Sequence, residues 1–221
     1  MDPQDACYYE PKSDLTILNR RLPHWHQAGT LAFVTFRLGD SLPGPLIKQL
    51  TQERALLLEE AGIDPNIVNL NSALSKMPAR DASVLRWKLF IEWDAKLDSL
   101  HGGCWLRQPE ISKIVSDGLL KFDRDRYVMA AFVIMPNHVH LLAAFREPEL
   151  ITEQGAGWRR FFAREINEML GRKGHLWQAD QFDHLVRSET SFDRIRKYII
   201  DNPTKAQLRC GEYRLFVSPE F

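Results

Sequence analysis

Two apolar, strand-forming stretches, 126–134 and 138–145, lie only three residues apart, joined by Met135-Pro136-Asn137. A link that short cannot carry a parallel crossover, so the two stretches must form an antiparallel hairpin. The rest of the chain has to be arranged around that hairpin. Residues 30–38, β-branched and aromatic, read as an earlier strand ended by Gly39 to Pro45. Residues 109–122 read as a helix with Pro109 near its first turn and Ile111, Ile114, Val115, Leu119 and Phe122 on one face. A basic amphipathic helix is expected over 158–170, a short strand over 182–186, and a helix over 191–201 that Pro203 should stop.

Between the first strand and 109 lies an excursion. Helical spacing marks 46–61 and about 81–99, with polar residues 66–80 expected to form a loop. Leaving out this insertion, about 46–100, the order is β-α-β-β-α-β-α. That order predicts an α+β, ferredoxin-like (split βαβ) antiparallel sheet with helices on one face, followed by a C-terminal helix. A length of 221 residues suits a single domain, 1–221, carrying the insertion. Its mixed charges and helical apolar stripes suggest a packing layer rather than a ligand-contacting lobe.

The three cysteines are widely spaced and odd in number, which argues against a disulfide framework or zinc–thiolate site. The acidic, polar start is no signal peptide, and no apolar run approaches the ~18 residues of a membrane span. The chain therefore reads as soluble and cytoplasmic. Net charge is zero. Residues 1–154 hold 17 Lys+Arg against 20 Asp+Glu, whereas residues 155–210 hold 11 against 7. A local basic face can bind phosphates even where the total is neutral.

His138-Val139-His140 opens the second strand of the hairpin. Residues i and i+2 of a strand share a face, so both imidazoles can meet one metal ion while Val139 turns to the opposite layer. Two nitrogen ligands leave positions for water, phosphate and a further protein ligand. The plainer reading gives one histidine a backbone partner and the other a surface position. A second such triplet, His24-Trp25-His26, reads as a loop anchored by Trp25. On the last helix, Asn202 follows Tyr198 by four residues and shares its face. A free phenol has a pKa of about 10 and is a poor nucleophile at neutral pH. A metal on the scissile phosphate would offset this. The alternative is a tyrosine that merely packs.

Met135-Pro136-Asn137-His138-Val139-His140-Leu141-Leu142 resembles the hallmark of the HUH single-tyrosine transposases. Trp177-Gln178, Asp183-His184-Leu185-Val186-Arg187 and Tyr198-Ile199-Ile200-Asp201-Asn202-Pro203-Thr204-Lys205-Ala206 resemble the C-terminal signature of the REP-associated tyrosine transposases. The resemblance covers about 20–40 and 105–210. It implies a single-stranded DNA endonuclease and strand transferase, a transposase that works through a covalent 5′-phosphotyrosine. Tyr198 would be the nucleophile. His138 and His140 would hold Mg²⁺ or Mn²⁺, with Asn202 as a third polar ligand. Palindromic DNA hairpins would be the partner, and relatives include both monomers and homodimers. Where the family has a glycine after its Asn-Pro helix end, this chain has Gln207, which should alter that turn.

Phosphate contacts are expected from Arg159, Arg160 and Arg164, from Arg194, Arg196 and Lys197 beside the tyrosine, and from Arg187 and Lys205. Phe161 and Phe162 are expected to pack. Asn137, Asp183 and His184 are candidates for supporting the site, although Asp183 and His184 suit an ordinary Asp–His hydrogen bond equally well. Two other functions fit the same residues: a hairpin-binding domesticated transposase that does not cut, and a metal-dependent phosphodiesterase that uses water.

Overall fold

The computed structural model describes residues 1–14, 16–19, 23–67, 70–147, 149–179 and 181–221. The chain divides into two compact units, one of residues 1–39 and 103–221, the other of residues 40–102.

In the first unit, β3 (Leu31–Arg37), β4 (Tyr127–Ile134), β5 (His138–Phe145), β6 (Phe182–Leu185) and β7 (Arg214–Val217) form one sheet. Its order is β6-β3-β5-β4-β7, and every neighbouring pair is antiparallel. With α4 (Pro109–Leu120) between β3 and β4, and α5 (Leu150–Met169) between β5 and β6, the four strands β6-β3-β5-β4 make the expected ferredoxin-like arrangement. Both β4 and β5 are buried along their whole length, as their apolar composition demands.

A bulge at Ala130 sets which side chains of β4 face which layer. It inserts one residue, so Tyr127 and Met129 before it and Phe132 and Ile134 after it all join the same core. That core also takes Val34 and Phe36 of β3, Val139 and Leu141 of β5, and Trp158 and Phe162 of α5. Tyr127 is structural. Its hydroxyl donates to the Leu119 carbonyl at 2.7 Å, and burial pushes the phenol well above its ordinary range. α4 and α5 approach closely at Gly118, whose carbonyl accepts from Trp158 Nε1 at 3.1 Å. A Cβ on Gly118 would lie 2.5 Å from Cε1 of the fully buried Phe162 ring. Gly118→Ala is therefore expected to cost about 1–3 kcal/mol through overpacking, read as a lowered urea midpoint with unchanged slope.

The last helix, α6 (Glu189–Lys205), packs on the opposite side of the sheet, where Tyr198 meets Phe33 and His140. Ser188 caps it by accepting from the Ser191 amide. Contrary to expectation, Pro203 does not stop this helix. Proline's fixed φ is helical, so the helix can continue once the lost donor and the crowding of the carbonyl four residues back are absorbed. The ladder resumes with the Ala206 amide donating to the Asn202 carbonyl at 3.0 Å. The turn then closes at Gln207, in the left-handed region at φ 54° that favours glycine. Gln207→Gly is expected to raise stability by up to about 1 kcal/mol in urea unfolding.

Other boundaries also move. α5 begins eight residues before the expected start at Trp158, because Gly155 and Gly157 lie inside the helix. Gly155 faces Gln181, where a Cβ would come 2.2 Å from Oε1. β7 has only four residues, too few for a periodic signal, and is anchored by Phe216 stacked on Phe132 at 5.2 Å. Pro23–His26, expected as a loop, is strand β2, paired with β1 (Thr16–Asn19). The expected anchor, the Trp25 side chain, lies outside the described residues.

The second unit holds α1 (Gly44–Glu60), α2 (Leu70–Leu74) and α3 (Ala79–Ala95). α2 falls in the stretch expected to be loop; its five residues are too few to show helical period. Leu58, Ile63, Leu74, Ala82 and Leu85 form one apolar cluster, and Leu42, Leu50 and Leu97 another. These stripes pack within the unit. No helix among the described residues is long and apolar enough to cross a membrane.

Candidate metal and nucleophile site

β5 begins with the two histidines, and alternation puts both rings on the face turned away from α4 and α5. Their centroids are 4.6 Å apart, and both residues are fully buried. Each ring is fixed through Nδ1. The His138 Nδ1–H donates to Asn137 Oδ1 at 2.7 Å, and His140 Nδ1 bonds Thr35 Oγ1 at 2.7 Å. Asn137 thus holds the His138 ring. Thr35, which the sequence reading passed over, does the same for the other ring. A ring that donates from Nδ1, as His138 does, keeps its Nε2 lone pair for a metal. Burial, then the neighbouring His140, then Arg37 all push the His138 pKa well below 6.5. The ring is thus neutral, as a ligand must be.

Nε2 of His138 is buried and has no hydrogen-bond partner among the described residues. The same holds for both amide atoms of Asn202, a fully buried residue on the inner face of α6. Leaving such groups unpaired costs about 1–3 kcal/mol each. A divalent cation would satisfy the imidazole nitrogen and the amide oxygen, so these residues fit a metal by their chemistry.

Tyr198 is on the same face of α6, one turn before Asn202. The residue is 7% exposed. It meets the edge of Phe33 at 6.3 Å and the His140 ring at 5.6 Å. Phe33 also stacks on His140 at 5.3 Å, so one phenylalanine walls both groups. Lys205 reaches back over the phenol, with Nζ 4.6 Å from the ring centre. Phenol and imidazole are thus neighbours within a single chain.

The remaining candidates divide. Lys197 is exposed and paired with Asp201 at 3.0 Å. Arg194 is exposed on α6, and the Arg196 Nε is buried without a hydrogen-bond partner among the described residues. By contrast, Arg159, Arg160 and Arg164 project from α5, which covers the other face of the sheet. Arg159 is tied to the carbonyls of Gly155 and Ala179, and Arg164 to Glu165. Of these three, Arg160 is the exposed cation without such a tie in the hydrogen bonds described. Arg187 lies over the Tyr9 ring at 5.1 Å.

Asp183 and His184, adjacent in sequence, point to opposite faces. His184 pairs in register with Phe33 and so lies on the Tyr198 side. Asp183 pairs with Val34 on the other side, where Oδ2 lies 3.6 Å from His26 Nε2. The Asp–His contact is real, but its histidine is His26 rather than the neighbouring residue. Phe161 is also a correction in part: it is 37% exposed, whereas Phe162 is fully buried.

No family model matches this chain. No curated protein matches it either. Among solved structures, it is similar to that of a REP-associated tyrosine transposase bound to a REP hairpin, with 14% sequence identity, a TM-score of 0.41, and coverage of 82% of this chain and 71% of that chain.

Proposed function

We propose that the protein nicks and rejoins single-stranded DNA at palindromic hairpins, with Tyr198 as nucleophile and Mg²⁺ or Mn²⁺ held by His138, His140 and Asn202. The observation that carries this reading is the juxtaposition of a buried phenol with a buried imidazole pair whose Nδ1 atoms are already bonded. A packing tyrosine needs no such neighbour, and a structural histidine pair does not leave a buried Nε2 without a partner.

When bound, the divalent ion supplies charge that offsets the phosphate's and makes it a better electrophile. The chain's own residues do the rest. Asn137 and Thr35 fix the two rings. Phe33 and the burial around it exclude water from the phenol's surroundings. Tyr198 Oη attacks phosphorus as the P–O3′ bond breaks; the phenol loses a proton and the leaving 3′ oxygen gains one. The 5′-phosphate stays on tyrosine. The bond energy is thereby kept, and a second 3′-hydroxyl reverses the step to join strands without ATP. Lys205 of α6 lies over the phenol ring, and Arg194 is exposed on the same helix. Arg160 on the opposite face suits contacts with DNA away from the cut, which position without specifying.

The test is incubation of the purified protein with 5′- and 3′-labelled single-stranded hairpins and Mn²⁺, followed by denaturing electrophoresis. A covalent protein–DNA band carrying the strand 3′ of the cut is expected, with a free 3′-hydroxyl on the other fragment. Tight hairpin binding with no cleavage would establish the non-cutting alternative instead.

A further inference from the structure

We infer that Arg37, at the end of β3, grips the non-bridging oxygens of the scissile phosphate. This rests on the tyrosine reading above and adds a residue that neither the spacing of motifs nor the charge distribution marks out.

Arg37 and His138 are paired across β3 and β5, as are Thr35 and His140. Residues directly opposite in an antiparallel pair project to one face, with Cβ atoms about 4.5–5.5 Å apart. Alternation along β3 then sets three side chains in one row. Phe33 walls the phenol and His140, Thr35 fixes His140 through Nδ1, and Arg37 stands beside His138. The row runs from wall to orienting group to cation. Phe33 and Thr35 are buried, whereas Arg37 is half-buried, at the point where the row opens.

A permanent cation beside the imidazole pair has a definite consequence. It opposes binding of a metal ion alone and favours a metal together with an anion. Arginine's planar fork of donors matches two oxygens of one phosphate, and its charge does not titrate away. Charge on those oxygens must be balanced as the phosphoryl group moves from one oxygen to another, and a preplaced donor does this without reorganisation. The cations of α6 are placed differently: Lys205 sits over the phenol ring, and Lys197 is exposed. Arg37 alone among these shares the strand row that orients the imidazoles.

The experiment is a double-mutant cycle between protein and substrate. Adduct formation in a single turnover with Mn²⁺ is measured for the wild type, Arg37→Gln and Arg37→Lys. Each is tested on a hairpin with its natural scissile phosphate and on one with a methylphosphonate there. Thermal melting and hairpin affinity are measured alongside. Arg37→Gln is expected to slow adduct formation about 100-fold on the natural phosphate with only a few-fold change in hairpin affinity. Arg37→Lys should recover part of that loss. Methylphosphonate should slow the wild type but slow Arg37→Gln little further, the non-additivity of a direct contact. Equal slowing of both substrates by Arg37→Gln, in a folded protein, overturns the assignment while leaving the tyrosine reading intact. If Arg37→Gln does not fold, Arg37→Lys decides by the same comparison. A wild type that forms no adduct on the natural phosphate overturns the tyrosine reading, and the role given to Arg37 falls with it.

Discussion

Replacing Tyr198 by phenylalanine is expected to remove the covalent protein–DNA adduct and to lower strand cleavage by at least roughly 10³-fold. Hairpin affinity and melting temperature should be nearly unchanged. The ring contacts with Phe33 and His140 survive the substitution, since both are made by ring carbons. Deleting one hydroxyl shifts stability by about 1 kcal/mol at most when no buried group is stranded. The expected pattern is therefore a folded, DNA-binding, chemically silent protein. A Tyr198→Phe protein that still nicks hairpins with Mn²⁺ would make water the nucleophile, and the chain a metal-dependent phosphodiesterase.

The second large effect is expected at Asn202, with opposite signs for stability and activity. Its carboxamide is fully buried, and neither amide atom has a hydrogen-bond partner among the described residues. Leucine has nearly the same size and no polar atoms. In EDTA, Asn202→Leu should be more stable than the wild type by about 1–3 kcal/mol, because a desolvated and unpaired amide is removed. For a chain of this length that is roughly 2–10 °C in melting temperature. Mn²⁺ should reverse the ranking. Saturation at about 100-fold above Kd would stabilise the wild type by about 2.7 kcal/mol, whereas the variant, short of one ligand, should gain much less. A variant that melts below the wild type in EDTA would show that the amide has structural partners, and Asn202 would then cease to be a ligand candidate.

Both experiments turn on pairs that local spacing already relates. Tyr198 and Asn202 are one helical turn apart, and His138 and His140 are one strand period apart. The apolar hairpin likewise announced the centre of the sheet, and the order of elements anticipated the sheet order. The errors lay where local rules compete. Pro203 sits inside α6, where proline's φ suits a helix although it loses a donor and crowds the carbonyl four residues back. Pro23–His26 joined a strand that its polar composition did not suggest.

By itself the amino-acid sequence determined periodicities: which residues of one element share a face, and so which imidazoles, or which phenol and amide, act together. Only the tertiary structure decided which faces meet. It sent Asp183 toward His26 while His184 turned to the side of Tyr198. It put the α5 arginines behind the sheet and brought Thr35 and Arg37 opposite the two histidines. The physical reason is that side-chain alternation depends on a residue's immediate neighbours along the chain. Strand partnership joins residues about a hundred positions apart, and is chosen by the burial of the whole sheet at once.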